Sequence, residues 1–292
     1  MRLASRFGWA LLLASACGQA AVQAVDGAGN AIALDRPAAR IVSLVPHATE
    51  LLFAAGAGGK VVAAVDYSDH PEAAKKLPRV GGFTGFSLEA VLRQRPDLVV
   101  AWQDGGTPRE LERLRRMGVP VFISHPLQPD DVAREMVELG KLAGTDAAAA
   151  RAAAGYRRKL ATLRQRYGGR APVRVFYQLS QTPIFTVSGK SYIDALIRVC
   201  GGVNVFADLP LPAPQVSTAA VVAAQPQAIV AGDDATLAMW KRWQALPAVA
   251  SGALLALSGD AIAIPGPRLV DGAEQLCARL DTARQRLGLT AR

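Results

Sequence analysis

The sequence predicts an α/β protein of two lobes, each with a central, mainly parallel sheet flanked by helices, joined by one long α-helix. Three observations carry that prediction. A phrase occurs twice, as Ala-Val-Leu-Arg-Gln-Arg-Pro-Asp-Leu-Val-Val-Ala-Trp over 90–102 and Ala-Val-Val-Ala-Ala-Gln-Pro-Gln-Ala-Ile-Val-Ala-Gly over 220–232, an offset of 130 residues. Each copy reads as a helix end, a proline that cannot continue the helix, and a β-branched apolar run of the kind buried in parallel sheets. Around both copies short apolar runs alternate with helical segments, the pattern of strand–helix–strand units. Between them, Thr145 to Tyr167 has the pattern of one unbroken helix. Two lobes on one strut enclose a cleft, and clefts bind small molecules.

In chain order, the apolar run Ile41–Val45 is a strand, followed by Pro46 and a short helix from Thr49 that Gly56 closes. Val61–Val65 gives a second strand, Leu88–Leu92 a helix and Leu98–Ala101 a third strand; Glu110–Met117 is a helix and Val119–Ile123 a fourth strand. The long helix follows directly after Gly144, with Thr145 as its N-cap. Tyr156, Leu160, Leu163 and Tyr167 fall on one face of it. Its ~22 residues span roughly 33 Å, enough to cross from one lobe to the other. The second lobe repeats the alternation: strands at Val173–Tyr177 and Ile184–Val187, a helix at Tyr192–Val199, and the repeated strand Ala228–Ala231. A short strand near Ala253–Leu257 and a final helix over about 269–287 complete it. The expected boundaries are 1–24 for an export signal, 38–143 for the first lobe, 145–168 for the bridging helix and 172–292 for the second lobe.

The signal reading rests on Arg2 and Arg6, the apolar run Trp9–Ala14 and the small-residue end Val22-Gln23-Ala24. That run is too short to span a membrane. Removal of the segment lowers the formal charge from +9 to +7. The basic residues are dispersed over helix faces and are not interleaved with aromatics, which argues against a nucleic-acid partner. Cys17 lies in the signal; lipidation there is the lesser reading, because the position three before it is alanine rather than a large aliphatic residue. Cys200 and Cys277 remain as an even pair in an oxidising compartment, where a disulfide is expected and two buried free thiols are the alternative.

No catalytic constellation can be assembled. Gly189-Lys190-Ser191 ends like a phosphate loop, but Ile184 stands where that loop needs its first glycine. There is no Gly-x-Ser-x-Gly elbow and no His-Glu-x-x-His motif. His47, His70 and His125 all lie in the first lobe, so no metal site between lobes is expected. No enzymatic activity, cofactor or resident metal is expected.

Ligands of open parallel sheets gather beyond the carboxyl ends of the strands. That rule selects Pro46 to Thr49, Asp66 to His70, Trp102 to Gly106 and the loop around Phe185. Tyr67, Phe83, Trp102 and Phe185 put aromatic rings in or beside these segments of a chain with only 6% aromatics, which suits a large, partly apolar ligand.

The segments Arg40-Ile-Val-Ser-Leu-Val-Pro-His-Ala-Thr-Glu-Leu-Leu-Phe-Ala-Ala-Gly56, Asp66-Tyr-Ser-Asp-His-Pro71, Pro96–Trp102 and Val199-Cys-Gly-Gly-Val-Asn-Val-Phe206 resemble the cobalamin branch of the helical-backbone periplasmic binding proteins. The resemblance covers essentially the whole mature chain. It implies a periplasmic, monomeric subunit that captures cobalamin or a related corrinoid and delivers it to the membrane permease subunits of an ABC importer. A haem or ferric-siderophore receptor on the same fold is the alternative. The resemblance also implies that Tyr67, Phe83, Trp102 and Phe185 line the corrinoid site, with Pro46, His47 and Ala48 near it. Arg268, beside the cleft, would meet an anionic chelate. Ala213 replaces a family tryptophan and the loop Ile264-Pro-Gly-Pro-Arg268 looks shortened, implying a roomier pocket. Docking in the family uses one glutamate per lobe. Glu89 matches the first, and Ala219 stands at the second position.

Overall fold

The computed structural model describes residues 21–289, apart from 83, 84, 104, 106 and 258. The described chain opens with a hairpin of β1 (Val22–Val25) and β2 (Ala31–Leu34). The buried Asp26 carboxylate accepts hydrogen bonds from the backbone N–H groups of Ala28, Asn30 and Ile123, and Gly27 donates to the Ile123 carbonyl. A Cβ on Gly27 would stand 2.3 Å from the His125 nitrogen, so glycine is what permits this approach.

The first lobe continues through β3 (Ile41–Ser43), α1 (Pro46–Ala54), β4 (Val61–Ala64), a ribbon of β5 (Gly81–Gly82) and β6 (Gly85–Phe86), and α2 (Leu88–Arg93). It ends with β7 (Leu98–Trp102), α3 (Pro108–Arg116), β8 (Val121–Ser124) and α4 (Pro129–Ala143). Its main sheet is parallel throughout, in the order β4-β3-β7-β8.

The connecting helix α5 (Asp146–Tyr167) leads to β9 (Val173–Gln181), β10 (Ile184–Thr186), α6 (Tyr192–Val199), β11 (Gly202–Asn204) and α7 (Thr218–Ala224). There follow β12 (Ala228–Ala231), α8 (Asp234–Ala238), α9 (Pro247–Ala250), β13 (Leu254–Ala256) and α10 (Leu269–Arg286). The parallel ladder β11-β9-β12-β13 repeats the order of the first sheet. The strand β9 runs past the expected end at Tyr177 and turns back antiparallel as β10.

The repeated phrase has one geometry. Ser87 and Ser217 cap α2 and α7 by accepting from the N–H groups of Ala90 and Ala220, each at 3.1 Å. Arg95 and Gln225, each preceding the proline, take left-handed φ values of 48° and 44°.

Strand residues alternate between two faces. Val42, Val99 and Ala101 enter an outer core of the first lobe, and Phe176, Ile229 and Ala231 one of the second. The other faces, with Ile41, Leu98 and Val100 on one side and Val175, Ala228 and Val230 on the other, belong to a single core spanning both lobes. The expected stripe of α5 is its spine: Tyr156, Leu160, Leu163 and Tyr167 are all buried in that core. Gly140 of α4 brings the two helices close, since a Cβ there would lie 2.2 Å from the Ala149 Cβ. Thr145 sits at the N-cap of α5 as expected, but its hydroxyl bonds to the Gly140 carbonyl and caps nothing.

Three expectations change. The 15-residue α4 fills a stretch where no element was expected, and its buried Val132, Met136 and Leu139 show the missed helical spacing. The hairpin joins the first lobe, whose start moves from 38 back to 22. Ala24 is buried in the core and the Val25 N–H donates to Glu138, so the expected cut after Ala24 would fall inside β1. The remainder of the signal, with Cys17, lies outside the described residues.

Cys200, at the end of α6, and Cys277, within α10, form a buried disulfide that closes a loop of 77 residues in sequence separation. Replacing both by alanine is expected to lower stability by roughly 4 kcal/mol through the freed unfolded chain. Urea unfolding checks this: the midpoint falls and the slope rises as the unfolded chain expands, and an unchanged midpoint refutes it.

Candidate functional site

The carboxyl ends of the two parallel sheets face a cavity of about 590 Å³ between the lobes. The first lobe supplies Trp102, the last residue of β7, and His125 to Gln128, which follow β8. The second supplies Leu179 of β9, Val187 and the segment Lys190 to Ile193 entering α6. Pro212, Ala213 and Pro265 complete a lining dominated by apolar groups.

Trp102 is 37% exposed, which is high for a tryptophan at the end of a buried strand. The edge of its ring contact is with His47, whose ring lies 5.9 Å away at 87°. His47 is buried and is held by a chain of side chains from three elements. Its Nε2 lies 2.8 Å from Ser124 Oγ at the end of β8, and Ser124 hydrogen-bonds in turn to Glu135 Oε2 of α4. Glu135 Oε1 accepts from the His125 N–H at 2.8 Å. One donor order satisfies the chain: His47 Nε2–H donates to Ser124, and Ser124 O–H donates to the carboxylate.

Burial pushes the His47 pKa down to about 3, so the ring against Trp102 is neutral. Burial also pushes Glu135 up to about 7, against the opposing pull of its bonds to Ser124 and the His125 N–H. The backing of Trp102 is therefore rigid and uncharged at the imidazole.

The expected site residues separate into groups. Trp102 lines the cavity and His47 stands behind it. Pro46 is half-buried at the start of α1. Ala48 is fully buried in the shared core, on the inward face of α1. Tyr67 is 75% exposed with a left-handed φ of 63°, and it does not line this cavity. Phe185 is half-buried on β10 opposite Ser180 and also does not line it. Phe83 lies outside the described residues.

Arg268 does not line this cavity either. It lines a separate cavity of about 420 Å³ with Glu50, Phe53 and His70. Its guanidinium makes paired bonds to Glu50 of α1, at 2.7 and 3.0 Å, and to Asp260, at 2.7 and 3.1 Å. With Glu50 6% exposed, this is a largely buried ion pair across the lobes, and both carboxylates hold the arginine's pKa up. Its donors are committed to protein carboxylates.

Sequence reasoning missed the wall after β8 and the wall at α6. The rule of post-strand segments applies to His125–Gln128 directly, once β8 is seen to end at Ser124. Leu179 was hidden because β9 is longer than its apolar run. Glu89, in the first turn of α2, is 84% exposed and pairs with Arg93 four residues on at 2.7 Å. Ala219, its counterpart by the 130-residue offset, is exposed on α7.

Among the described residues no group of three or more histidine, cysteine or acidic side chains is placed to hold a metal ion. No described helix is long and apolar enough to cross a membrane.

The chain is similar to known proteins over most of its length. The family described as "Periplasmic binding protein" matches residues 41–261. The vitamin B12-binding protein of Vibrio cholerae serotype O1 (strain ATCC 39315 / El Tor Inaba N16961) is 40% identical over 252 residues, 85% of this chain and 91% of that protein. The crystal structure of the periplasmic vitamin B12 binding protein of Vibrio cholerae superposes with a TM-score of 0.81 at 40% identity, covering 85% of this chain and 99% of that one. A periplasmic heme-binding protein from Roseiflexus sp. RS-1, in apo form, gives 0.73 at 26% identity, covering 84% and 98%.

The opposed shifts of His47 and Glu135 predict opposed pH effects. His47 has a folded value below its unfolded one, so its contribution is present above about pH 6.5 and is lost as pH falls toward 3. Glu135 has a raised folded value, so its contribution is present below about pH 4.5 and is lost as pH rises through 7. In urea unfolding, Glu135→Gln should gain stability relative to wild type as pH rises from about 4.5 to 7, and His47→Gln should gain as pH falls below about 6.5. Differences independent of pH would refute both assignments.

Proposed function

The chain belongs to the periplasmic binding protein family, and on that footing we propose that it captures cobalamin or a related corrinoid between its lobes for an ABC importer. It is a carrier and does no chemistry on its cargo. The observation that carries the ligand reading is the apolar cavity walled by Trp102, in a chain 40% identical to a vitamin B12-binding protein over most of both lengths. A flat, partly apolar macrocycle gains from stacking on an exposed, rigidly backed indole and from burial of apolar area. The cargo's cobalt travels inside the corrinoid and asks for no ligand from the protein in this reading.

The rest of the role extends from the family. An export signal directs the chain to the periplasm, where it acts as a monomer. Glu89 and its surroundings on the first lobe meet the membrane permease subunits, and Ala219 leaves the second lobe to engage them without a matching carboxylate. A charge that is desolvated on docking governs such contacts more than its exposed ion pair in the free protein does. A haem ligand is the second reading, supported by the likeness to a heme-binding protein at 26% identity.

Titration of the purified protein with cyanocobalamin, haemin and a ferric siderophore, followed by tryptophan fluorescence, tests the ligand. Saturable quenching by the corrinoid is expected; a saturable response to haemin or siderophore alone overturns the reading. Trp102→Ala should weaken corrinoid binding by more than about 1 kcal/mol. Unchanged affinity would remove Trp102 from the site. Glu89→Ala should leave corrinoid affinity intact and reduce complex formation with the permease in reconstituted membranes; a loss of affinity instead would place that face wrongly.

A further inference from the structure

We propose that Lys190 recognises an anionic group on the rim of the bound ligand, a phosphodiester or a carboxylate, and so sets specificity within the corrinoid reading on which this inference rests. The cavity has one lysine in its lining and, among the described residues, no carboxylate. The Lys190 ammonium makes no hydrogen bond or ion pair with any described residue. Its neighbours in the second lobe behave differently: Arg198 pairs with Asp194 and Arg268 with Glu50 and Asp260. A cation beside an apolar wall that has no carboxylate among its described residues adds positive potential where the ligand sits, and a ligand with a negative substituent on that side is favoured.

The local geometry says which atoms are free to act. The segment Gly189-Lys190-Ser191 looks like the end of a phosphate loop, yet its backbone donors are all spent. Gly189 N–H bonds to the Ala207 carbonyl at 2.8 Å, Lys190 N–H to Ser188 Oγ at 3.2 Å, and Ser191 N–H to the Ser188 carbonyl at 3.1 Å. The Ser191 oxygen accepts from the Ile193 N–H, which leaves its own proton to donate. A backbone nest is thereby excluded, and recognition falls to the Lys190 ammonium, with the Ser191 hydroxyl beside it. Lys190 lies in the second lobe and Trp102 in the first, so the two fix opposite sides of one ligand.

The test compares wild type with Lys190→Met, which keeps the apolar stem, and Lys190→Arg, which keeps the charge. The probes are cyanocobalamin, which carries the phosphodiester of its nucleotide loop, and dicyanocobinamide, which lacks that loop. Lys190→Met should weaken cyanocobalamin about fivefold to tenfold and dicyanocobinamide less than about twofold, and Lys190→Arg should restore most of the loss. Raising salt from about 20 mM to about 500 mM should weaken wild-type binding of cyanocobalamin and leave the variant's unchanged. An equal loss for both corrinoids, or no loss, overturns the proposal.

If wild type binds haemin and neither corrinoid, the corrinoid reading fails and the comparison passes to haemin against its dimethyl ester. A loss confined to free haemin upholds Lys190 as a carboxylate reader, and an equal or absent loss overturns it. Binding of none of the probes overturns both.

Discussion

Everything in this protein depends on one shared hydrophobic core. The inward faces of both sheets, together with α1, α4, α5, α6 and α10, bury their side chains in a single continuous cluster. Large fully buried residues from each part, such as Leu98 and Met136 on one side and Leu160 on the bridging helix, have no second place to go. Parting the lobes as independent bodies would expose apolar surface at roughly 25 cal/mol per Å². The helix that joins the lobes is therefore a wall of the core as much as a connector. Lys159 to Asp271, at 2.8 Å, and Arg164 to Asp130 fasten it to α10 and α4. The mostly buried Glu50–Arg268 pair spans the lobes directly, where breaking a desolvated pair costs far more than breaking an exposed one. The shared core and this pair both oppose a wide hinge motion of the lobes.

The same constraint explains the order of the site. Strands whose two faces are both buried expose side chains only at their ends, so the functional groups stand where β7 and β8 stop. Trp102 is the first residue of β7 to emerge, after four buried ones. Its orientation is passed back through His47, Ser124 and Glu135 into α4, and α4 is locked against α5 through Gly140 and Ala149. The second lobe solves the corresponding problem with different atoms. There Gln178 accepts from the buried Trp240 indole at 2.6 Å, and Thr186 donates to the Tyr177 carbonyl at 2.7 Å. Trp240 is consumed by the core, Trp243 packs against it, and the cavity wall is aliphatic at Leu179 and Val187.

How much of this was legible in the sequence depended on how local the cause was. Strand and helix identity followed from short-range pattern: Tyr192–Val199 and Ala228–Ala231 have the expected limits, and the four-residue stripe of α5 is buried as its spacing requires. The helix α4 escaped because Pro129 opens it and Gly140 interrupts its pattern, and the reason for that glycine lies on another helix. The hairpin escaped because the stretch ending in Val22-Gln23-Ala24 reads as the end of an export signal, and the burial of Ala24 is not announced by local pattern. The pairing of Arg268 was hidden for a longer-range reason: its partner Glu50 is 218 residues away, and no local pattern announces a buried pair across lobes. The disulfide between Cys200 and Cys277 was readable despite its span, because counting cysteines needs no geometry.

The duplicated phrase shows how one scaffold can be given two unequal ends. Serine caps, left-handed residues before the prolines and buried strands coincide across the 130-residue offset, so the fold makes the same local demands on both copies. The copies part at their last residue. Trp102 fills the end of the first strand, whereas at Gly232 an added Cβ would meet no heavy atom within 4 Å. That empty end is not needed for packing, and no glycine-specific backbone angle is recorded there. With no side chain projecting from the second strand end, the second-lobe wall is left to β9 and the entry to α6. An aromatic face on one lobe and an ammonium on the other make an oriented site, one that distinguishes the two edges of a ligand. Two symmetric ends would hold a flat molecule in either sense; unequal ends hold it in one.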